Sequence, residues 1–133
     1  MKAIILAAGV SRRLYPLTYE IPKCLIEVGA KPILNHQLEA LQSSGITDII
    51  MVVGYYREAI MSHVESQFPD INFEFVINHH YFETNTAYSL RLCNESVNGD
   101  PFVLMNADVL YPKEVLNRVI HSNHDTSLAV EIK

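Results

Sequence analysis

Apolar residues run almost unbroken through Lys2–Ala7 (KAIILA) with no helical spacing, the pattern of a parallel strand buried on both faces. Pro32 then opens a helix at its first position, and Ile33, Leu34, Leu38 and Leu41 recur at helical intervals until Gly45 supplies a stop. Asp48–Val53 (DIIMVV) reads as a second buried strand, closed by Gly54. Tyr56–Phe68 reads as a helix with Ile60 and Val64 on one face and Pro69 beyond its end, and Asn72–Ile77 (NFEFVI) as a half-buried strand. Asn85 or Thr86 caps a helix that runs to about Val97, and Gly99-Asp100-Pro101 breaks the chain before a fourth strand, Phe102–Asn106. Pro112 opens another helix with Val115, Val119 and Ile120 as its apolar stripe, and Thr126–Ile132 (TSLAVEI) forms the last strand.

Strand and helix alternate strictly, so the expected fold is α/β: a Rossmann-like open, mostly parallel sheet with helices on both faces. Right-handed crossovers then put the C-terminal end of every strand along one rim, where ligands bind. No repeat, low-complexity tract or linker divides residues 1–133, so the chain reads as one domain. Nothing in the sequence follows the last strand to cover it, which predicts a fold truncated at the C-terminus. It also predicts an apolar edge suited to a homo-oligomer formed by dimerisation or strand exchange.

Composition narrows the classes. The chain of 133 residues is 49% apolar and 19% charged, which excludes intrinsic disorder and leaves enough material for a sizeable core. The longest apolar runs are far too short to span a bilayer. Met1-Lys2 and the run behind it mimic a signal peptide, but the run meets Arg12-Arg13 at once and the strand pattern continues, so a buried first strand is expected and no membrane partner. Cys24 and Cys93 have neither metal spacing nor a framework of pairs, the usage of reduced thiols in a cytoplasmic protein. A net charge of −5 gives no field for gripping nucleic acid. Its distribution is uneven, because Ala8–Lys31 holds Arg12, Arg13, Lys23 and Lys31 against Glu20 and Glu27. A small anionic ligand at one loop suits that balance better than a long polyanion.

That loop leaves the first strand at the ligand-binding rim. Ala7, Ala8 and Gly9 permit close approach to the backbone, whose N–H groups can face phosphate oxygens. Arg13 offers a planar fork and Lys23 a point charge, while Pro16 and Pro22 stiffen the path between them. Spacing alone leaves open a solvated surface loop with incidental charges. No Gly-Lys-Ser/Thr follows Gly9, so this is not a Walker loop, and the missing second and third glycines exclude a dinucleotide fingerprint.

The stretches "LAAGVSRRLYPLT" and "PKCL" resemble the signature of nucleotidyltransferases that join an NTP to a phosphorylated small molecule. These are the sugar-1-phosphate pyrophosphorylases and their phosphocholine cytidylyltransferase relatives. Leu6 to Gly9, Arg13, Leu14, Pro16 to Thr18, Pro22, Lys23 and Leu25 match in register, and the likeness continues through "KPIL", "ITDIIMVVGY", "NTAYSL" and "VLMNADVLY". It implies a nucleotide-diphospho-sugar transferase-like fold and transfer of an NMP group from an NTP to a phosphorylated acceptor, with pyrophosphate released. Arg13 and Lys23 are the implied catalytic cations, holding the triphosphate and the reacting phosphates. The backbone of Leu6, Ala7, Ala8 and Gly9, with Ser11, Arg12, Asn78, Asn85 and Thr86, lines the implied nucleotide pocket. Asp108 is the implied ligand of Mg²⁺, a cation that suits one or two carboxylates plus substrate phosphates.

Ser11 stands where the family usually has glycine, and Arg12 replaces a small Ser/Thr. "NTAYSL" is closer to the phosphocholine cytidylyltransferase branch, which points to CTP and a choline or alcohol phosphate, with sugar 1-phosphates left open. The resemblance also implies a domain that continues beyond residue 133, where most of the acceptor site and a second metal-binding carboxylate belong. The alternative is a non-catalytic module, a truncated copy of the fold that binds a nucleotide or pairs with another subunit. Other candidates have weaker patterns. His79-His80 and the pair His121/His124, expected on one helical face, lack the further ligands of a zinc site. Tyr55-Tyr56 and Tyr81-Phe82 are rim aromatics able to stack a base. Cys24 sits beside Lys23, whose charge would lower its pKa.

Overall fold

The structure, a computed structural model, describes residues 1–9, 21–81 and 85–124. Four parallel strands form the main sheet: β1 (Lys2–Ala7), β4 (Asp48–Val53), β5 (Asn72–Ile77) and β6 (Phe102–Asn106), each with the bounds the hydrophobic pattern predicts. Two strands of two residues, β2 (Glu27–Val28) and β3 (Lys31–Pro32), form a separate hairpin. The helices are α1 (Ile33–Ser43), α2 (Arg57–Gln67), α3 (Thr86–Arg91), α4 (Asn94–Val97) and α5 (Lys113–Ile120), and a 3₁₀ turn spans Lys23–Leu25.

The sheet order is β5-β4-β1-β6, so the chain moves outward from β1 through β4 to β5 and then returns to the opposite side of β1. Ile4 pairs with Ile50 on one side and Leu104 on the other, which makes β1 a central strand. Both faces are covered, as a near-continuous apolar strand requires. Ala3, Ile5, Met51 and Met105 pack with Leu34, Leu38, Ile60, Val64 and Leu116 of α1, α2 and α5. On the other face Ile4, Ile50 and Val52 pack with Cys93 and Val97 at α4, and Leu90 of α3 packs against them. Reversal of strand order beside β1 creates a switch point between β1 and β6, where α/β sheets leave a crevice at the strands' C-terminal ends.

Local chemistry explains the departures from the expected elements. Pro32 does not open α1 from inside: it pairs with Glu27 in the hairpin and sits extended at the cap position, so Ile33 is the first helical residue. Gly29 and Ala30 both have positive φ, the requirement of a tight two-residue hairpin turn. The helix expected through Val97 is two helices. Cys93 N–H donates to Leu90 O at 3.0 Å, a tightened turn that buries Cys93 against the sheet, and its thiol donates to Ser89 O at 3.6 Å. Asn85 caps α3 as expected, its Oδ1 accepting from the Tyr88 amide at 3.2 Å. In α5 the deeply buried residue is Leu116, while the predicted stripe of Val115, Val119 and Ile120 is half-buried. The predicted strand Thr126–Ile132 lies outside the described residues. Among the described residues, no helix is long and apolar enough to cross a membrane.

Candidate functional site

A cleft of about 200 Å³ opens at the switch point. It gathers Leu6, Ala7, Ala8 and Gly9 from β1 and its exit, Lys23, Asn78, Asn85, Thr86 and Asp108. Every predicted site residue that the structure describes therefore faces one cavity. Ser11, Arg12 and Arg13 lie outside the described residues.

Each wall has a local cause. Hydrogen bonding continues past the strand ends, with Ala107 N–H donating to Leu6 O at 3.0 Å and Tyr55 N–H to Ala8 O at 3.5 Å. Ala7 and Ala8 are buried, and among the described residues a Cβ added at Gly9 would meet no atom within 4 Å. Asn78, just past β5, is 1% exposed. Its amide donates to Ser89 Oγ at 3.2 Å and its Oδ1 accepts from the His80 N–H at 2.9 Å, which fastens the turn after β5 to α3. Gly54 allows that turn to close: a Cβ there would lie 2.9 Å from Tyr81 Cβ and 3.0 Å from Asn78 O.

Lys23 and Asp108 supply the charge. The 3₁₀ turn after Pro22 carries Lys23, and its ammonium lies 3.4 Å from Asp108 Oδ2; both side chains are partly exposed. Lys31, another cation of the basic loop, is instead paired with Glu39 of α1. Asp108 rides on the turn that follows β6, and Gln37 of α1 holds that turn from beneath. The Gln37 amide nitrogen donates to Asn106 O at 2.8 Å and to Val109 O. Sequence reading missed Gln37 because a helical glutamine is ordinary. The signal was its place in the apolar stripe, between Ile33 and Leu41 and beside Leu38, where a polar side chain must be buried.

Several expectations change. Cys24 is 4% exposed, and burial pushes its thiol up to about 12, with the charge of Asp108 adding to the rise. Its side chain joins the core with Leu34 and Leu38, so proximity to Lys23 in sequence does not lower its pKa. α5 ends at Ile120, which leaves His121 capping the helix through its own turn and His124 beyond it, on no shared helical face. No group of three His, Cys, Asp or Glu among the described residues is arranged to hold a metal. Tyr55 and Tyr56 meet edge to face at 4.6 Å, and Tyr81 reaches the cleft beside Asn78.

Fold and cleft together define the class: an α/β domain whose site lies at the switch point of a parallel sheet, built from strand-end backbone and an ion pair. Within it the chain belongs to the nucleotidyl transferase family, whose profile matches residues 2–132. The chain is 36% identical over 128 residues to mannose-1-phosphate guanyltransferase beta-B of Xenopus laevis, an alignment that covers 93% of this chain and 35% of that protein. It is 36% identical over 124 residues to the choline-phosphate cytidylyltransferase of Streptococcus pneumoniae, covering 93% of this chain and 52% of that one. The solved structure of the Streptococcus pneumoniae CTP:phosphocholine cytidylyltransferase superposes with a TM-score of 0.71 and 39% identity, over 80% of this chain and 44% of that chain. The chain thus spans about a third to a half of the relatives it matches.

Proposed function

We propose that this chain forms the nucleotide-binding part of an enzyme that transfers an NMP group from an NTP to a phosphorylated small molecule. The observation that supports the reading best is the juxtaposition of Lys23 and Asp108 beside the bare backbone of Ala7, Ala8 and Gly9. In such a reaction an oxygen of the acceptor's phosphate bonds to the α-phosphorus while the bond to the bridging oxygen of pyrophosphate breaks. No proton need be abstracted from an ionised phosphate, so positioning and charge neutralisation make up most of the catalysis.

The chain's residues divide that work. The Leu6–Gly9 backbone and the Asn78 and Asn85 region receive the nucleoside, and the Lys23 ammonium binds a phosphate at the reacting centre. Arg13 belongs with Lys23 by its place in the sequence motif. Asp108 fits Mg²⁺ as a hard, accessible oxygen donor in a cleft with room for substrate phosphates as further ligands. When bound, that cation offsets charge on the phosphates and the departing pyrophosphate. Until an anion arrives, Asp108 keeps the Lys23 ammonium directed at the cleft.

CTP with a choline or alcohol phosphate is the first choice of substrates, supported by the Asn85–Leu90 stretch and by the cytidylyltransferase relatives. GTP with mannose 1-phosphate is the rival, supported by the guanyltransferase relatives. Pyrophosphate release measured over CTP, GTP, UTP and dTTP against phosphocholine and several sugar 1-phosphates ranks them. Turnover in one pairing supports the enzyme. Nucleotide binding without turnover fits both this reading and the non-catalytic module, and no binding of any NTP with Mg²⁺ rejects both.

A further inference from the structure

Judged as core filling alone, Gln37 is a poor choice. It is 2% exposed in the apolar stripe of α1, and its Oε1 is buried without a hydrogen-bond partner among the described residues. Leucine there would extend the run of Ile33, Leu34, Leu38 and Leu41 and leave no orphaned acceptor. What glutamine supplies, and leucine cannot, is a pair of amide hydrogens on one nitrogen. Both are directed at one turn, to the carbonyls of Asn106 and Val109, which flank Ala107 and Asp108. The turn's own closing bond, Val109 N–H to Asn106 O, is long at 3.4 Å. The same helix is tied to the other partner of the ion pair: Ile33 N–H donates to Ile26 O at 3.1 Å, and α1 packs against the 3₁₀ turn that carries Lys23.

We propose that Gln37 is a positioning residue, whose two amide donors fix the Asn106–Val109 turn so that the Asp108 carboxylate is held at the phosphate-binding cleft opposite Lys23. The inference rests on the nucleotidyl-transfer reading given above. Gln37 touches neither nucleotide nor cation; it acts through the backbone on either side of Asp108. Its effect should therefore fall on the metal-dependent part of nucleotide binding, which needs the carboxylate in place. Binding to the β1 backbone and Lys23 depends on it much less.

The test uses the full chain and isothermal titration with CTP and GTP, each with and without Mg²⁺, on wild type, Gln37→Met and Gln37→Glu. Gln37→Met keeps length and removes both donors; it should lower the Mg²⁺-dependent gain in nucleotide affinity by about tenfold and leave metal-free binding within about twofold. Gln37→Glu keeps shape but turns carboxylate oxygens toward two carbonyls. Relative to wild type at the same pH, its defect should be large at pH 8 and shrink toward pH 5.5, as the carboxyl protonates and regains one donor. Unchanged Mg²⁺ gain in a folded Gln37→Met overturns the inference and leaves the proposed function standing, as does equal loss with and without metal that merely tracks melting temperature. No nucleotide binding by wild type removes the functional reading itself, and the inference with it. A measurement without mutation guards against misfolded variants: both Nε2 protons of Gln37 should exchange slowly and shift on addition of Mg²⁺ with nucleotide, and unshifted protons overturn the inference.

Discussion

Lys23 and Asp108 stand 85 positions apart in the chain, yet the ammonium of one lies 3.4 Å from the carboxylate of the other. The pair joins the loop that leaves β1 to the turn that leaves β6, across the switch point of the sheet. Both side chains are partly exposed, so as a structural bond the pair contributes little, about 0–1 kcal/mol. Lys23→Ala and Asp108→Asn should each shift the melting temperature by no more than about 3 °C for a domain of this size. Nucleotide titration should show at least a tenfold loss of affinity in Lys23→Ala, and loss of the Mg²⁺-dependent part in Asp108→Asn. Loss of stability in proportion to loss of binding would count against a functional role.

Gly54 tests how closely the sheet and the turn after β5 must fit. A Cβ at that position meets Tyr81 Cβ at 2.9 Å and Asn78 O at 3.0 Å, and neither is the free end of a flexible side chain. Gly54→Ala should destabilise by about 1–3 kcal/mol through overpacking. Because Asn78 and Tyr81 both line the cleft, nucleotide affinity should fall as well. Thermal melts and titration on the same sample check both outcomes.

Burial governs the thiols. Cys24 and Cys93 are pushed up to about 12 and about 11, in each case first by desolvation. A buried, protonated thiol is a poor nucleophile. Neither cysteine should react appreciably with a disulfide reagent at pH 8 in the native protein, and both should react in denaturant. Since the folded values exceed the ordinary value of 9.0, the folded state binds more protons between them. Stability is therefore fully present below pH 9 and falls as pH rises from there, and Cys24→Ala should flatten the decline.

His63 has the opposite sign. Its Nε2 lies 2.6 Å from Asn35 Oδ1, linking α2 to α1, and burial lowers its pKa below the ordinary 6.5. The unfolded chain then takes up a proton before the folded one does, so stability is present above pH 6.5 and is lost as pH falls through the folded value. Melting temperatures from pH 7.5 to 5 should decline in wild type and decline less steeply in His63→Gln.

How much of this was legible depended on the length of the signal. β1, β4, β5 and β6 have the predicted bounds because five or six consecutive apolar or alternating residues admit one reading. β2 and β3, at two residues each, are too short to show a period, and the turn at Gly29-Ala30 that makes them a hairpin carries an alanine at positive φ. The break between α3 and α4 was hidden because Ser89, Cys93 and Val97 keep helical spacing across the tightened turn. The cleft itself was readable as a motif, since Leu6 to Gly9, Lys23 and Asp108 sit at strand ends on one rim. Gln37 and Gly54 were not, because their roles depend on residues about seventy and about twenty-five positions away, respectively.

The register between β1 and β6 also sets the order of folding. Lys2 pairs with Phe102 and Leu6 with Asn106, so β1 completes its second edge with β6, the last strand of the described sheet. A nascent chain must hold apolar β1 with one side open until residue 106 has emerged, and closing so long a loop is slow. The crevice between those strands forms in that same late step, so the cleft and the described sheet should arise together during synthesis.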